Sequence, residues 1–192
     1  EHLQASFAAS NHTMATSTVL AIVVFLGISL VSVTQAKFIS SGTEWKYVDY
    51  GIDMGSAWKS DAYTDVNWKV GRTDFGFESG TRTIVTKGYL TYYFRKAFTV
   101  NSVPSRLEMN LRRDDGAVVY INGREVHRTN MPNGPVDYNT LAASPVGGDD
   151  EKKFYNVSLP PNLVRQGSNV MAVEIHQHSL TSSDIHFDVE LT

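Results

Sequence analysis

The sequence predicts an all-β chain folded as an antiparallel β-sandwich or jelly roll, and three observations predict it. First, apolar residues recur with period two: Leu90, Tyr92, Phe94, Phe98 and Val100; Leu107, Met109 and Leu111; Met171, Val173 and Ile175; Ile185, Phe187, Val189 and Leu191. Successive strand side chains point to opposite faces, so each segment is expected to have one buried and one wet face. Second, Asn122-Gly123 separates two strand-forming runs, and such a pair favours a two-residue turn in which both residues take positive φ. Third, Gly, Pro, Asn and Asp clusters punctuate the chain between these segments, as antiparallel sandwiches require.

Taken in chain order, residues 1–13 are expected to be an extension upstream of Met14, and residues 14–36 a signal peptide. Its apolar run, residues 19–33, carries no charge. As a helix that run rises only about 22 Å, short of the roughly 30 Å hydrocarbon core of a bilayer. A short membrane anchor is the alternative. Small residues place the expected cleavage between Ala36 and Lys37, which implies a secreted, extracellular product without a membrane partner.

Residues 37–192 are then a single domain, long enough to bury its own core. They hold 17 basic and 19 acidic residues, a net −2. That balance argues against nucleic acid as a partner. There is no cysteine, which removes disulfides, thiol catalysis and thiolate-bound zinc.

Within this domain, residues 45–49 and 66–70 read as strands. Phe75 and Phe77, among the glycines at 71, 76 and 80, read as sandwich packing. Residues 107–126 read as three successive antiparallel strands, with Asp114-Asp115-Gly116 as the first turn. Residues 129–153 read as a long excursion at one end of the sandwich, and residues 161–165 as one helical turn. Asn156-Val157-Ser158 is an N-glycosylation sequon and needs a surface position.

Several of these residues carry a resemblance. Residues 91–98, the stretch Asp114-Asp115-Gly116 through Val126, residues 167–177 and residues 182–188 together resemble a galactose-binding-like jelly roll. The pattern is similar to non-catalytic modules of secreted metallophosphoesterases and glycosidases. The resemblance implies a fold and leaves the ligand open, because such modules differ in the loops grafted on the sandwich.

Candidate chemistry is sparse. No Gly-x-Ser-x-Gly elbow and no phosphate-binding glycine loop is present. Asp114 and Asp115 read chiefly as turn formers; a catalytic carboxylate pair is the alternative, and calcium held by one of them with loop carbonyls is a third option. No other cofactor is expected. His176, His178 and His186 read as solvent-facing polar residues, with a metal as the alternative. Arg112, Arg113, Arg124 and Arg128 gather near the hairpin, where Asp114, Asp115 and Glu125 neutralise them. Flat aromatic faces hold sugar rings. Trp58, Tyr63 and Tyr138, in loop-like stretches, are therefore the glycan-binding candidates, and Trp58→Ala is expected to weaken retention on a polysaccharide such as chitin.

The leading expectation is a non-enzymatic module binding extracellular polysaccharide. The alternatives are a structural component of an extracellular or mineralised matrix, partnered by matrix proteins, and a phosphoesterase-related fragment.

Overall fold

The computed structural model of the protein describes residues 36–77 and 80–192. The expected upstream extension and leader lie outside the described residues, apart from Ala36. Among the described residues no helix is long and apolar enough to cross a membrane.

Among the described residues eleven strands form two sheets. The six-stranded sheet runs in the order β2 (Lys69–Arg72), β1 (Glu44–Val48), β5 (Thr91–Val100), β10 (Gly167–His176), β7 (Gly116–Ile121) and β8 (Arg124–Thr129). The five-stranded sheet runs in the order β4 (Thr83–Ile84), β3 (Phe75–Gly76), β11 (His186–Leu191), β6 (Leu107–Asp114) and β9 (Tyr155–Leu159). Every pairing is antiparallel except the two-residue β3–β4 contact. This is the expected antiparallel β-sandwich.

The period-two residues meet between the sheets. Trp45, Tyr47 and Phe94 come from one sheet, Phe75 and Phe187 from the other. The Phe94 and Phe187 rings lie 4.4 Å apart, and Trp45 meets Phe187 edge-on at 5.2 Å. Met109, Leu111, Val173, Ile175, Val189 and Leu191 complete this core. Asn122 (φ 52°) and Gly123 (φ 83°) make the expected turn, with Ile121 paired to Arg124 across it. One 3₁₀ turn, Pro161–Leu163, fills the predicted helical segment.

Three expectations require correction. Strand β2 begins at Lys69 rather than Val66, and Trp68 instead ends the preceding loop. Strands β6 and β7 do not pair; the chain leaves one sheet at Asp114 and enters the other at Gly116. Asp114-Asp115 is therefore a crossing between layers, not a hairpin turn. Finally, the six-stranded sheet has no wet face at its centre: Tyr93, Arg95, Tyr120, Glu174 and His176 are as buried as their inward neighbours. Residues 49–68 and the excursion after β8 lie over that outer face. Met54, Tyr63, Met131, Val136 and Tyr138 pack there against Val48, Trp58, Trp68, Tyr93 and Val118. The excursion, expected at one end only, thus covers a face first and then reaches the end.

The inter-sheet aromatics dominate the packing. Phe187→Ala should lower the unfolding free energy by about 3–5 kcal/mol. Ile84→Ala, at a side chain 63% exposed, should change it by less than about 0.5 kcal/mol. Urea unfolding of the two variants checks the contrast.

Candidate functional site

At one end of the sandwich, three segments converge: the β6–β7 crossing, residues 145–151, and the β10–β11 connection. They enclose an open cleft of about 420 Å³, lined by Asp115, Pro145, Val146, Gly147, Gly148, Glu151 and, from the last segment, His178, Ser179 and residues 181–184. Its walls are rich in hydroxyls and carboxylates, and only Pro145 and Val146 offer apolar surface from the middle segment.

Asp115 builds this end. Its carboxylate accepts the backbone N–H of Val146 at 2.6 Å and of His178 at 2.7 Å, joining two of the segments. Its carbonyl accepts Asn130 Nδ2 at 3.1 Å, and the same amide group donates to the Ser144 carbonyl at 2.7 Å. Gly116 lets the strand pass beneath. A Cβ there would stand 2.4 Å from the Met131 sulfur and 2.8 Å from the Asn130 carbonyl. Arg112 completes the frame, donating to the Glu151 carbonyl at 2.8 Å, to Asp74 at 2.8 Å and lying 3.0 Å from His186 Nδ1.

Asp114 behaves differently from its neighbour. It is fully buried, and neither of its carboxylate oxygens has a hydrogen-bond donor among the described residues. One oxygen each from Asp114, Glu151 and Asp184 lie within 4.8 Å of one another. Burial, the adjacent Asp115 carboxyl and the charges of Asp184 and Glu151 push the Asp114 carboxyl up to about 8. The sequence reading treated Asp114 and Asp115 alike. The structure separates them into one carboxylate spent on backbone amides and one facing other carboxylates. Glu151 and Asp184 were missed because they are far apart in sequence and share no ligand spacing, so only the fold assembles them.

The other sequence candidates fall elsewhere. Trp58 is fully buried and presents no face to a sugar: it packs edge-on against Tyr93 at 4.9 Å and Tyr120 at 6.0 Å. Its loop-like context misled, because the loop itself is laid onto the sheet. Tyr63 and Tyr138 are half-buried against the same outer layer and do not line the cleft. Asn156 is exposed on β9, with Nδ2 2.9 Å from Asn110 Oδ1.

Of the three histidines expected to face solvent, His176 is fully buried and His178 is half-buried at the cleft. The His176 ring is buried with Nδ1 at 2.7 Å from the Thr140 carbonyl, and His178 Nδ1 lies 3.1 Å from the Ala142 carbonyl. Both rings direct Nδ1 at carbonyls of the excursion. His186 is mostly covered, between Arg112 and Asp74. Nor do the arginines form a patch, since Arg112 and Arg113 belong to one sheet and Arg124 and Arg128 to the other. Arg128 forks onto Glu125 with two 2.8 Å bonds, and Arg113 lies over the Tyr155 ring.

One constellation imitates a nucleophilic triad. Thr91 Oγ1 lies 3.1 Å from His176 Nδ1, and His176 Nε2 lies 3.6 Å from Glu174. It lacks the function, because all three side chains are buried and the Thr91 hydroxyl donates to the Tyr138 carbonyl at 2.7 Å. Glu174 also accepts the Tyr120 hydroxyl at 2.6 Å and stands 3.4 Å from Lys59 Nζ. Burial pushes the Glu174 carboxyl up, but His176, Tyr120 and Lys59 together outweigh it and hold the group below its ordinary range.

No family model and no curated protein matches the chain. Solved structures do match. A glycosyl hydrolase family 2 member from Bacteroides cellulosilyticus DSM 14838 superimposes with a TM-score of 0.52 at 14% identity, over 82% of this chain and 20% of its own. A second structure of a family 2 member from that species gives 0.50 at 13%, over 81% and 20%. The non-catalytic domains of such enzymes are sandwiches of the galactose-binding-like class. The likeness is one of fold: this chain shares the β-sandwich of the matching part, as the resemblance to a galactose-binding-like jelly roll implied. A β-glycosidase from Bacteroides vulgatus also aligns, with a TM-score of 0.45 at 16% identity over 82% of this chain and 20% of that one. This chain spans about a fifth of the length of each of these solved chains.

Two outcomes test this assignment of roles. Trp58→Ala should destabilise the fold by about 3–5 kcal/mol, acting through packing rather than through ligand contact; chemical denaturation measures it. Glu174 has a depressed folded-state pKa, so its ionised form favours folding above its ordinary value of 4.5, and that contribution is lost as the pH falls through the folded-state value. Glu174→Gln should therefore cost about 1–3 kcal/mol at neutral pH, with the gap to wild type closing in melts taken near pH 3.

Proposed function

We propose that this chain is a secreted, non-enzymatic module that holds an extracellular matrix polysaccharide in the cleft at the loop end of its sandwich. The observation that carries the reading is the cleft itself. It is open, and it offers convergent hydroxyls and carboxylates from Glu151, Ser179, Thr181 and the stretch 182–184. Such groups match the donors and acceptors of a polyhydroxylated ligand, while Pro145 and Val146 give a small apolar wall. The likeness to part of family 2 glycosyl hydrolases supports a carbohydrate context for the fold without supplying their catalytic machinery. The buried state of Thr91, His176 and Glu174 supports the non-enzymatic half of the reading. Secretion rests on the uncharged run at residues 19–33.

Gly147 provides a clean test. A Cβ at this position meets nothing within 4 Å, so Gly147→Leu should fill the cleft at little cost to stability. Wild type should be retained on an insoluble polysaccharide from a panel including chitin and be released by competing sugar. Gly147→Leu should lose that retention by tenfold or more with an unchanged melting temperature. Release by denaturant alone would favour a packed matrix component instead. Metal-dependent turnover of a phosphate ester, abolished by chelator, would favour a phosphoesterase.

A further inference from the structure

We propose that Asp114, Glu151 and Asp184 bind a calcium ion at the edge of the loop-end cleft, where the ion fastens three separate segments of the chain. The inference does not depend on what the cleft holds.

The Asp114 side chain is fully buried. An ionised carboxylate removed from water needs donors or a cation. Asp115, its neighbour, has two backbone N–H donors; Asp114 has none among the described residues. It faces instead the oxygens of two further carboxylates, all within 4.8 Å. The Asp184 carboxylate accepts only the Ser183 hydroxyl, at 3.2 Å, among the described residues. The nearby cations are directed elsewhere. Arg112 serves Asp74, His186 and the Glu151 carbonyl. Arg113 lies over Tyr155, and Lys87 donates to the Ser183 carbonyl at 3.1 Å. Among the described residues no ion pair reaches any of the three carboxylates. A cation between them is the group that would turn this repulsion into attraction.

The donor chemistry selects the ion. Three carboxylates are hard oxygen ligands, suited to calcium, magnesium or manganese rather than to zinc or copper. The nearest imidazole, His178, already spends Nδ1 on the Ala142 carbonyl. Calcium accepts six to eight oxygens in flexible geometry, whereas magnesium demands a near-ideal octahedron. Three carboxylates supply three to six of those oxygens, and the open cleft admits water for the remainder. Ligands drawn from a strand end and two loops suit the more tolerant ion.

The three ligands lie on segments that an unfolded chain would not hold together, so the ion should bind the folded state selectively and stabilise it. The test is the melting temperature of the full chain, stripped with chelator and titrated with calcium chloride, alongside equilibrium dialysis for stoichiometry. One calcium per chain should bind, and calcium at about 100 times its dissociation constant should raise the midpoint by about 5–10 °C. Asp114→Asn, which removes the buried charge, should melt no lower than wild type without calcium and lose the calcium response. Should that variant fail to fold, Glu151→Gln and Asp184→Asn carry the same expectation of a weakened response. The proposal is overturned by a wild-type midpoint indifferent to calcium, by an equal response to magnesium, or by variants that respond undiminished. Polysaccharide retention is read separately, through Gly147→Leu, which leaves all three carboxylates in place, so the two readings fail separately.

Discussion

Arg95 is a cation in a central strand, 2% exposed, and the outer half of the molecule is arranged around it. A guanidinium without partners there would be prohibitively costly. Its Nη1 donates to the Trp58 and Ser60 carbonyls, its Nη2 to the Tyr63 carbonyl at 3.3 Å, and its Nε to Asp65 at 2.9 Å. Every one of those acceptors belongs to the segment between β1 and β2. Satisfying Arg95 therefore requires that segment to lie flat on the sheet. Once it does, Trp58 is pressed onto Tyr93 and Tyr120, and Lys59 Nζ sits 4.2 Å from the Tyr120 ring centre beside Glu174. A second, smaller core follows on the face that a simple sandwich leaves wet.

The same principle sets the other end of the layer. Thr91, His176 and His178 direct polar atoms at the carbonyls of Tyr138, Thr140 and Ala142. Asp115 draws in Val146. The long excursion after β8 has little regular structure, yet buried side chains of the sheet satisfy its backbone. This is why a segment rich in Pro and Gly holds a defined path and brings Glu151 to the cleft.

How far the sequence could be read follows from these contacts. In β6 and β11 apolar residues facing the core alternate with polar ones that are half-buried or, at Asp114 and Asp188, buried, and those strands are found where the pattern puts them. The Asn122-Gly123 hairpin is equally legible, since its conformation is a local property of two residues. Trp58 is not legible, because its burial is decided by Arg95, 37 residues away. His176 and Glu174 look like the exposed side of a strand for the same reason. Asp114 and Asp115 share one residue type and adjacent positions, and only the exchange between sheets distinguishes them. The acidic cluster has no signature in one dimension.

One edge of the six-stranded sheet has a consequence of its own. Strand β8 ends that sheet, and it carries Arg124, Glu125, His127 and Arg128. A neighbouring copy pairing along β8 would have to strip water from these charged groups. Edge-to-edge lengthening of the sheet through β8 is thus disfavoured.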